Sequence, residues 1–285
     1  MARALAEDLG AGDVTSRAAV PESARSSALL VAREAGVVAG LEVARLAFAQ
    51  VDAATRFEAR VEDGVRVDAG TVVARIEGGS RALLSAERVA LNFAKRLSGI
   101  ATLTRRFVDA IAGTGTRVLD TRKTTPGLRD LEKWAVATGG GVNHRQGLWD
   151  MYLVKDNHIR AAGSLTAAVE RIARERDPKL LLEVEAASLD LVREAAVLDV
   201  DRILLDNMTP GTLAAAVALV DAAGARTRTS PRRPAGARRW PELEASGGVT
   251  LETVRGIAET GVDYVSVGAL THSAKALDLA LDFEA

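Results

Sequence analysis

The side chains best suited to chemistry each follow a short apolar run. Arg122 and Lys123 come after RVLD, Lys155 after MYLV, and the carboxylates Glu185 and Asp206 close the runs LLLEVE and RILLD. Cations bind carboxylates and phosphates through charge-assisted hydrogen bonds, and carboxylates hold Mg²⁺ together with the phosphates of a substrate. This set therefore predicts a site for a multiply anionic ligand or pair of ligands.

Positive charge is concentrated in the stretch VNHRQGLWDMYLVKDNHI, residues 142–159. It contains His144, Arg145, Lys155 and His158, and the chain has only three histidines. The third, His272, also lies beside an apolar run. The spacing offers no HxxxH pair, which argues against structural zinc and favours histidines that donate to a carboxylate or phosphate.

Two glycine-containing turns add main-chain donors. Ser246, Gly247 and Gly248 follow the run ELEA and precede a helix expected from Thr250, and Gly268 lies in VGAL after the run YVSV. Successive N–H groups in such turns, reinforced by a helix N-terminus, form a nest for phosphate. Glycine also serves turn geometry alone, so each turn by itself leaves both interpretations open.

The elements that position these residues follow a repeating pattern. Apolar runs near 117–123, 151–157, 180–186, 202–208, 242–248 and 264–270 alternate with helical segments that mostly open on Ser, Thr or Pro. Lys155 to Glu185 spans 30 residues and Glu185 to Asp206 spans 21, which is typical of βα units. The pattern predicts a parallel sheet, closed into an α/β barrel rather than open, whose C-terminal strand ends form the site.

Residues 26–80 have a different pattern. They contain short β-rich runs broken by glycines and one helical pattern at Leu41 to Val51, and the piece VEDGVRVDAGTVVARIEG suggests a small sheet. The piece is similar to a lipoyl or biotinyl carrier, but it carries no lysine at a hairpin tip. SAERVALNFAKRL, residues 85–97, then predicts an amphipathic helix with Ser85 as N-cap and Arg88 on its polar face.

Composition limits the function classes. A net charge of −1 argues against nucleic-acid or anionic-membrane partners, and the absence of cysteine excludes disulfides and fits a cytoplasmic protein. The opening MARALAEDLGAGDVTS has no apolar core of a signal peptide. No apolar run approaches the ~20 residues that a membrane span needs. We therefore expect a soluble, cytoplasmic protein.

A family resemblance is carried by the stretch LDTRKTTPGLRDLEKWAVATGGGVNHRQGLWDMYLVKDNHI together with EVEAASL, ILLDNM, EASGGV and GVDYVSVGALTHS. These motifs resemble the quinolinate phosphoribosyltransferases, also called nicotinate-nucleotide pyrophosphorylases (carboxylating), from about residue 4 almost to the end of the sequence. The resemblance implies a pentosyltransferase that joins quinolinate to the ribose of phosphoribosyl pyrophosphate (PRPP) with Mg²⁺. The products would be nicotinate mononucleotide, pyrophosphate and CO₂, in NAD biosynthesis.

The resemblance also implies a fold and an assembly. It predicts an N-terminal α/β sandwich at 1–103 and an incomplete α/β barrel of parallel strands at 104–271. The tail, about 272–285, would pack back on the sandwich. The family's sites lie at a two-fold interface, so a homodimer with a shared site is expected.

Each site residue takes a role from the matching family motif. Arg122, His144, Arg145 and Lys155 would hold the two quinolinate carboxylates, with Arg88 reaching in from the partner subunit. Glu185 and Asp206 would lie near the ribose hydroxyls and, directly or indirectly, the magnesium. The residues implied for the pyrophosphate and the 5′-phosphate are Lys123, Ser246, Gly247, Gly248, Gly268 and His272.

One departure and two alternatives stay open. Residues 224–241, GARTRTSPRRPAGARRWP, replace a usually short link and predict an exposed, poorly ordered insertion. One alternative is a related enzyme that uses nicotinate, or a molybdenum-transport-associated pyrophosphorylase-like protein. The other is a catalytically silent binder of phosphoribosyl ligands. The complete set of carboxylate-binding cations argues against the first alternative, and the intact acids argue against the second.

Overall fold

The computed structural model describes residues 1–223 and 241–284, and these divide into two compact units. The insertion predicted at 224–241 therefore lies outside the described residues except for Pro241. The first unit contains 1–105, 131–140 and 273–285, and the second contains 106–130 and 141–272. The helices and strands, in chain order, are α1 Ala2–Leu9, α2 Val14–Ala19, β1 Arg25–Ala32, β2 Gly36–Val37, α3 Leu41–Val51, β3 Arg56–Ala59, β4 Arg66–Val67, β5 Val72–Gly79, α4 Ser80–Ala110, β6 Arg117–Leu119, α5 Arg129–Thr138, β7 Tyr152–Val154, α6 Asp156–Ala162, α7 Leu165–Glu175, β8 Leu182–Ala186, α8 Leu189–Val197, β9 Arg202–Asp206, α9 Pro210–Ala222, β10 Glu242–Ser246, α10 Val254–Glu259, β11 Tyr264–Ser266, α11 Ala269–His272 and β12 Leu279–Phe283.

The first unit is built around an antiparallel sheet in the order β12-β1-β5-β3. Along β1, Ala28, Leu30 and Ala32 are buried at alternate positions, as expected where one face of a sheet covers a core. The helix α3 occupies the predicted residues, and Phe48 from it belongs to the same apolar core. The segment β12 is an edge strand of this sheet and pairs with β1.

The long helix α4 begins earlier than the sequence indicated. It starts at Ser80 and runs for 31 residues, so Ser85 lies inside the helix and the prediction that it is the N-cap is wrong. The side chain of Ser85 instead donates a hydrogen bond to Asp13 at 3.2 Å. Helix α4 follows β5 without a break, so no loop in the sequence marks its start.

The second unit is built around six parallel strands in the order β6-β11-β10-β9-β8-β7. The register between neighbouring strands aligns Glu185 with Leu204 and Asp206 with Ser246, so the C-terminal ends of adjacent strands share one edge. The mixed α/β fold with a parallel sheet, predicted from the βα spacing, is confirmed. The closure expected from the same pattern is not observed, because among the described residues β6 and β7 are the two ends of the sheet and do not pair with each other.

Helices follow the strands where the Ser, Thr and Pro signals predicted them. Ser164, Ser188 and Thr209 each accept a hydrogen bond from a main-chain N–H in the first turn of α7, α8 and α9, which satisfies a donor that the helix itself leaves unpaired. The helix expected from Thr250 begins later, at Val254, after a turn. Within residues 1–223 and 241–284, no helix has both the length and the apolar character of a membrane span.

Candidate active site

A cavity of about 670 Å³ lies within the second unit at the C-terminal ends of its strands. Its lining brings together residues that are far apart in the sequence, because the carboxyl ends of parallel strands share one edge. All the site residues predicted in this unit line it: Arg122, Lys123, His144, Arg145, Lys155, Glu185, Asp206, Ser246, Gly247, Gly248, Gly268 and His272.

The two predicted acids each engage a neighbour at the rim. Lys155 donates to Glu185 Oε2 at 2.8 Å, and Asn207 Nδ2 donates to Asp206 Oδ2 at 3.0 Å. The Lys155 side chain is 45% exposed, so this ion pair can exchange for a ligand at small cost. The arrangement gives the rim a half-exposed cation and two carboxylates on adjacent strands.

Asn207 is a site residue that the sequence reasoning missed. It has φ +52°, the left-handed conformation that Asn adopts more readily than most residues. Its main-chain N–H donates to Ser246 O at 2.8 Å, and its Oδ1 would be 2.1 Å from a Cβ placed on Gly247. Asn207 therefore links Asp206 to the glycine turn, and only glycine fits at 247.

The second glycine position, Gly268, is less confined, but it lies close to two predicted site residues. A Cβ on Gly268 would stand 3.1 Å from Lys123 Cδ and 3.2 Å from His272 Nε2. Thr271 Oγ1 donates to the main-chain oxygen of Lys123 at 2.7 Å, which ties the loop after β6 to α11. Lys123, His272 and the Gly268 turn thus converge on one part of the cavity, as an anion cradle requires.

The loop after β6 and the segment near 145 are joined by Arg129, which the sequence reasoning also missed. Its guanidinium donates to Thr124 Oγ1 at 3.0 Å and to the main-chain oxygen of Gln146 at 3.1 Å. Arg145 itself is buried, and burial, followed by the nearby charge of Arg122, lowers its pKa. The positive charges of Arg122 and Arg145 repel each other, so an anion bound near both would be favoured.

Beneath the rim lies a second polar layer, in which His144 contacts two buried acids. His144 Nε2 lies 2.9 Å from Glu183 Oε2 and 3.3 Å from Glu244 Oε2. The other ring nitrogen, Nδ1, is 2.8 Å from the main-chain nitrogen of Arg145, and the His144 N–H donates to Asp120 Oδ1 at 2.8 Å. The imidazole is therefore fixed on both sides.

The carboxylates of this layer continue into an ion cluster. Arg202 lies 3.3 Å from Glu244 Oε2 and 3.2 Å from Glu242 Oε2, and its guanidinium stacks over Tyr264 at 4.2 Å from the ring centre. Ser266 Oγ donates to Glu244 Oε1 at 2.5 Å. Buried charges are tolerated only when they are paired and hydrogen-bonded, and Glu244 meets that condition at both oxygens.

The cluster shifts the pKa of its members. Burial alone lowers the pKa of His144, but hydrogen bonds and charge from Glu183 and Glu244 outweigh it and raise the value to about 9. Burial raises the pKa of Glu183, with repulsion from Glu244, to about 7. Burial would also raise that of Glu244, but His144, Arg202 and Ser266 hold it down at about 2.

The short contact at Nδ1 and the raised pKa favour different forms of the His144 ring. A hydrogen bond from the Arg145 N–H requires an unprotonated Nδ1, whereas a pKa near 9 makes the ring an imidazolium at neutral pH. A neutral ring protonated at Nε2 satisfies both the contacts to the two acids and the contact at Nδ1. The pH dependence of stability distinguishes the two forms.

Glu183 and Glu244 carried a signal in the sequence that went unused. In LEVEA and ELEAS the acids recur every second residue, and this period places them on the same face of a strand as Glu185 and Ser246. Strand ends alone point to Glu185 and Ser246 and not to Glu183 and Glu244, which lie two residues earlier on the same faces. For Asn207 the sequence offers only its residue type.

His158 has a local role. Its Nδ1 accepts a hydrogen bond from the Lys155 main-chain N–H at 2.9 Å at the start of α6. It also lines a second cavity of about 460 Å³, with Tyr152, Ile172 and other residues of α6 and α7. His158, which was grouped with the histidines expected to donate to a carboxylate or phosphate, does not line the larger cavity, whereas His144 and His272 do.

Comparison with known proteins gives the family. Residues 13–98 match the family model "Quinolinate phosphoribosyl transferase, N-terminal domain", and residues 100–282 match the corresponding C-terminal domain. The chain belongs to the quinolinate phosphoribosyltransferase family. The family resemblance predicted from the sequence is thereby confirmed.

Relatives of the family match over nearly the whole chain. A probable nicotinate-nucleotide pyrophosphorylase [carboxylating] of Synechocystis is 45% identical over 97% of this chain and 89% of its own length. The nicotinate-nucleotide pyrophosphorylase [carboxylating] of Mycobacterium leprae is 44% identical over 98% of this chain and 94% of its own. The crystal structure of NadC from Streptococcus pyogenes superposes with a TM-score of 0.89 at 38% identity, covering 100% of this chain and 95% of that one. The predicted fold class, shared with this quinolinate phosphoribosyltransferase family, is confirmed.

The carboxylates of Glu185 and Asp206 are suited to the magnesium ion that the resemblance implies. The hydrogen bonds of Glu185 and Asp206 in the described residues engage one oxygen of each carboxylate, Oε2 and Oδ2. Mg²⁺ in phosphoryl-substrate sites is held by one or two carboxylates together with phosphates and water, which these two acids can supply. His144, Glu183 and Glu244 also lie close enough to hold a metal ion, but Arg202 and Ser266 already occupy Glu244.

Arg88 remains to be placed. It lies on α4 in the first unit, its side chain 58% exposed and its Nη2 3.8 Å from Glu87 Oε1. It is not among the residues that line the cavity of the second unit. Its role in a quinolinate phosphoribosyltransferase dimer stays a prediction.

Proposed function

We propose that this protein transfers the phosphoribosyl group of PRPP to quinolinate with decarboxylation, as a nicotinate-nucleotide diphosphorylase (carboxylating) in NAD biosynthesis. The products are nicotinate mononucleotide, pyrophosphate and CO₂. The observation that carries the proposal is one cavity that combines Arg122, His144, Arg145 and Lys155 with two acids and two glycine turns. Membership of the family and the names of its relatives support the same activity.

The cations account for recognition of a dicarboxylate. Quinolinate carries two adjacent carboxylates, and each must be paired once it leaves water. Each charge-assisted hydrogen bond contributes roughly 1.5–3 kcal/mol net, and an Arg fork fits a carboxylate in two-point geometry. Arg122 and Arg145 supply two forks, and Lys155 can leave Glu185 to bind the second carboxylate. A monocarboxylate would leave part of this positive charge without a partner.

The opposite part of the cavity suits PRPP. Main-chain N–H groups of the Ser246–Gly248 turn and of Gly268, with His272, form the cradle for the 5′-phosphate, and Lys123 lies beside Gly268. Glu185 and Asp206 would hold magnesium, which would supply positive charge for the pyrophosphate leaving group. Lys123 contributes a second positive charge to the same leaving group.

The reaction follows from these placements. The lone pair of the pyridine nitrogen forms a bond to ribose C1 while the bond from C1 to the pyrophosphate oxygen breaks, and that electron pair leaves with pyrophosphate. Glu185 or Asp206 stabilises the cationic sugar of the transition state by charge. The bond to the 2-carboxylate then breaks, its electrons stay at C2 beside the pyridinium nitrogen, and a proton adds there. No covalent enzyme intermediate is required, and the chain has no cysteine.

The first test is turnover by the purified protein with PRPP and Mg²⁺, with quinolinate in one reaction and nicotinate in another. Nicotinate mononucleotide and CO₂ from quinolinate alone are the expected result, since the cation set is built for two carboxylates. Turnover with nicotinate alone would instead favour a relative that uses another base.

A second test separates an enzyme from a silent phosphoribosyl binder. Asp206→Asn keeps the shape of the side chain and its contact with Asn207 but removes its charge from the cavity. We expect kcat to fall about 10²-fold or more, a typical loss for one electrostatic group of the transition state. Unchanged kcat would refute the role of Asp206.

We also propose a homodimer with a shared site, in which Arg88 of one protomer completes the site of its partner. This rests on the family resemblance and on the exposure of the Arg88 side chain. Mixing Arg88→Ala with Arg122→Ala protein should restore about a quarter of wild-type activity, because each hybrid dimer rebuilds one intact site. Hybrid dimers without recovered activity would contradict the shared site. The cytoplasmic location stays a prediction.

A further inference from the structure

Two segments of the second unit carry cations of the quinolinate half of the site. Arg122 lies in the segment after β6, Arg145 lies in the segment that precedes β7, and both line the large cavity. Burial and then the charge of Arg122 lower the pKa of Arg145, so the two side chains repel each other unless an anion lies near both. The main chains that carry them therefore need contacts that oppose this repulsion.

One connection between the two segments lies on the N-terminal side of both cations. Leu119 and Val142 form an isolated parallel bridge, and the His144 main-chain N–H donates to Asp120 Oδ1 at 2.8 Å. These contacts align the two segments where they enter the site.

Arg129, the first residue of α5, joins the same segments on the other side. Its Nε donates to Thr124 Oγ1 at 3.0 Å and its Nη2 to the main-chain oxygen of Arg122 at 3.4 Å. Its Nη1 donates to the main-chain oxygen of Gln146 at 3.1 Å. A guanidinium presents its donors in a fixed planar fork, so this one side chain sets the distance between the two main chains. Arg122 and Arg145 thus lie between two connections.

The turn that follows Arg145 is held by side chains on two sides. Asp150 accepts the main-chain N–H of Gln146 at 2.7 Å and that of Gly147 at 3.0 Å. The side-chain amide of Gln146 donates to Asp130 on α5. Because the turn is fixed in this way, a contact at the Gln146 carbonyl also restricts the main chain of Arg145.

We propose that Arg129 is a positioning residue for quinolinate, which bridges the two segments and so holds Arg122 and Arg145 at the separation that two adjacent carboxylates require. The inference rests on the proposed function and adds to it a residue that does not line the cavity. Without the bridge the two segments would become ordered only when the ligand binds. That ordering has a free-energy cost, so quinolinate would bind more weakly.

The PRPP half of the site has supports of its own. The main-chain oxygen of Lys123 accepts a hydrogen bond from Thr271 Oγ1 on α11 at 2.7 Å. The two glycine turns are carried by other strands, since Ser246–Gly248 begins at the end of β10 and Gly268 follows β11. Loss of the Arg129 guanidinium should therefore weaken the binding of quinolinate more than that of PRPP.

The first variant is Arg129→Met, which keeps an unbranched stem and removes the guanidinium. We expect KM for quinolinate to rise about tenfold and KM for PRPP to stay within about twofold. Arg129→Lys can donate to one segment but cannot span both, so it should recover only part of the loss. Thr124→Val removes one acceptor of the bridge and should raise KM for quinolinate about threefold. These two milder variants carry the same comparison if Arg129→Met does not fold.

Two control variants separate positioning from general stabilisation. Arg255 also donates to a main-chain oxygen of the second unit, that of Ala112 at 2.9 Å, but it does not line the cavity. Arg255→Met should leave both KM values within about twofold. Thr271→Val removes the side-chain contact at Lys123 and should have the opposite selectivity, with KM for PRPP raised more than KM for quinolinate.

A binding measurement gives a readout that does not depend on turnover. Phthalate carries the two adjacent carboxylates of quinolinate on a ring without nitrogen, so it can occupy the carboxylate sites but cannot react. Isothermal titration calorimetry should show that phthalate binds Arg129→Met about tenfold more weakly than it binds the wild type or Arg255→Met.

Three results would overturn the positioning role of Arg129. They are equal rises of both KM values in Arg129→Met, an equally large effect of Arg255→Met, or unchanged phthalate binding in Arg129→Met. A wild-type protein that binds phthalate but does not turn over quinolinate would instead overturn the proposed function. In that case the phthalate comparison still decides whether Arg129 positions the two segments.

Discussion

The two sheets of this protein carry their ion pairs in opposite environments. On the antiparallel sheet of the first unit, Arg75 pairs with Glu284 at 3.0 Å, with both side chains more than a third exposed. On the parallel sheet of the second unit, Arg202 and Glu244 pair at 3.3 Å with both side chains at most 9% exposed. An exposed pair contributes little, whereas a buried pair carries a desolvation penalty that apolar residues would avoid.

The comparison shows that burial of charge in the second unit is not a requirement of sheet packing. The first unit fills the corresponding alternate positions with Ala28, Leu30 and Ala32 and forms an apolar core. In the second unit the same alternation points Glu183 and Glu185 of β8 to one side of the sheet. It does the same for Glu242 and Glu244 of β10. Of these four acids, Glu185 and Glu244 line the cavity.

The largest expected difference between the sheets is in stability. Arg202→Met leaves Glu242 and Glu244 without their buried cation and should lower the free energy of unfolding by about 3–5 kcal/mol. Arg75→Met removes only an exposed partner and should lower it by less than about 1 kcal/mol. Denaturant unfolding of both variants measures the contrast. Equal losses would mean that burial does not set the strength of these pairs.

The pH dependence of stability sharpens the same contrast. Because the pKa of His144 is raised in the folded protein to about 9, its protonation stabilises the fold fully below the ordinary value of 6.5. This stabilisation is lost as the pH rises through about 9, and amounts to about 3 kcal/mol at most. The difference in unfolding free energy between the wild type and His144→Gln should therefore be larger at pH 6 than at pH 10 by about 3 kcal/mol. A constant difference would contradict the raised pKa.

The smallest expected effect concerns two glycines, Gly247 in the second unit and Gly70 in the first. Gly247→Ala places a Cβ 2.1 Å from Asn207 Oδ1 at φ +106°, so the turn must move. We expect KM for PRPP to rise about tenfold, equivalent to 1.4 kcal/mol. Gly70→Ala, at φ +89° in the first unit with nothing within 4 Å, should cost about 1 kcal/mol of stability from backbone strain and leave activity intact. Steady-state kinetics with both variants tests this, and unaltered PRPP kinetics in Gly247→Ala would argue against the cradle.

Much of the second unit could be predicted because its signals are local. Strand ends, helix caps and βα spacing each depend on a few neighbouring residues, and they located Lys155, Glu185 and Asp206 at one edge of a sheet. The roles assigned to these residues came from the family resemblance and stay predictions. The start of α4 was misjudged because the helix follows β5 directly, with no loop to mark the boundary.

What the sequence reasoning missed depends on contacts across the sheet. The cluster of His144, Glu183 and Glu244 joins a loop to strands about 40 and 100 residues away, and no local pattern states which acid faces the ring. Arg129 is likewise distinguished only by the two loops it connects. Such residues become visible once the register of the strands is known.

The pairing of β12 with β1 has a consequence for the order of folding. Leu279–Phe283 hydrogen-bonds to Ala28–Ala32, about 250 residues earlier in the chain. During synthesis at about 5–20 residues per second, β1 therefore waits more than ten seconds for its outer neighbour. The parallel sheet of the second unit has by then left the ribosome, and until β12 arrives β1 presents an unpaired edge. The sheet of the first unit is therefore completed only at the end of translation, although that unit begins at residue 1.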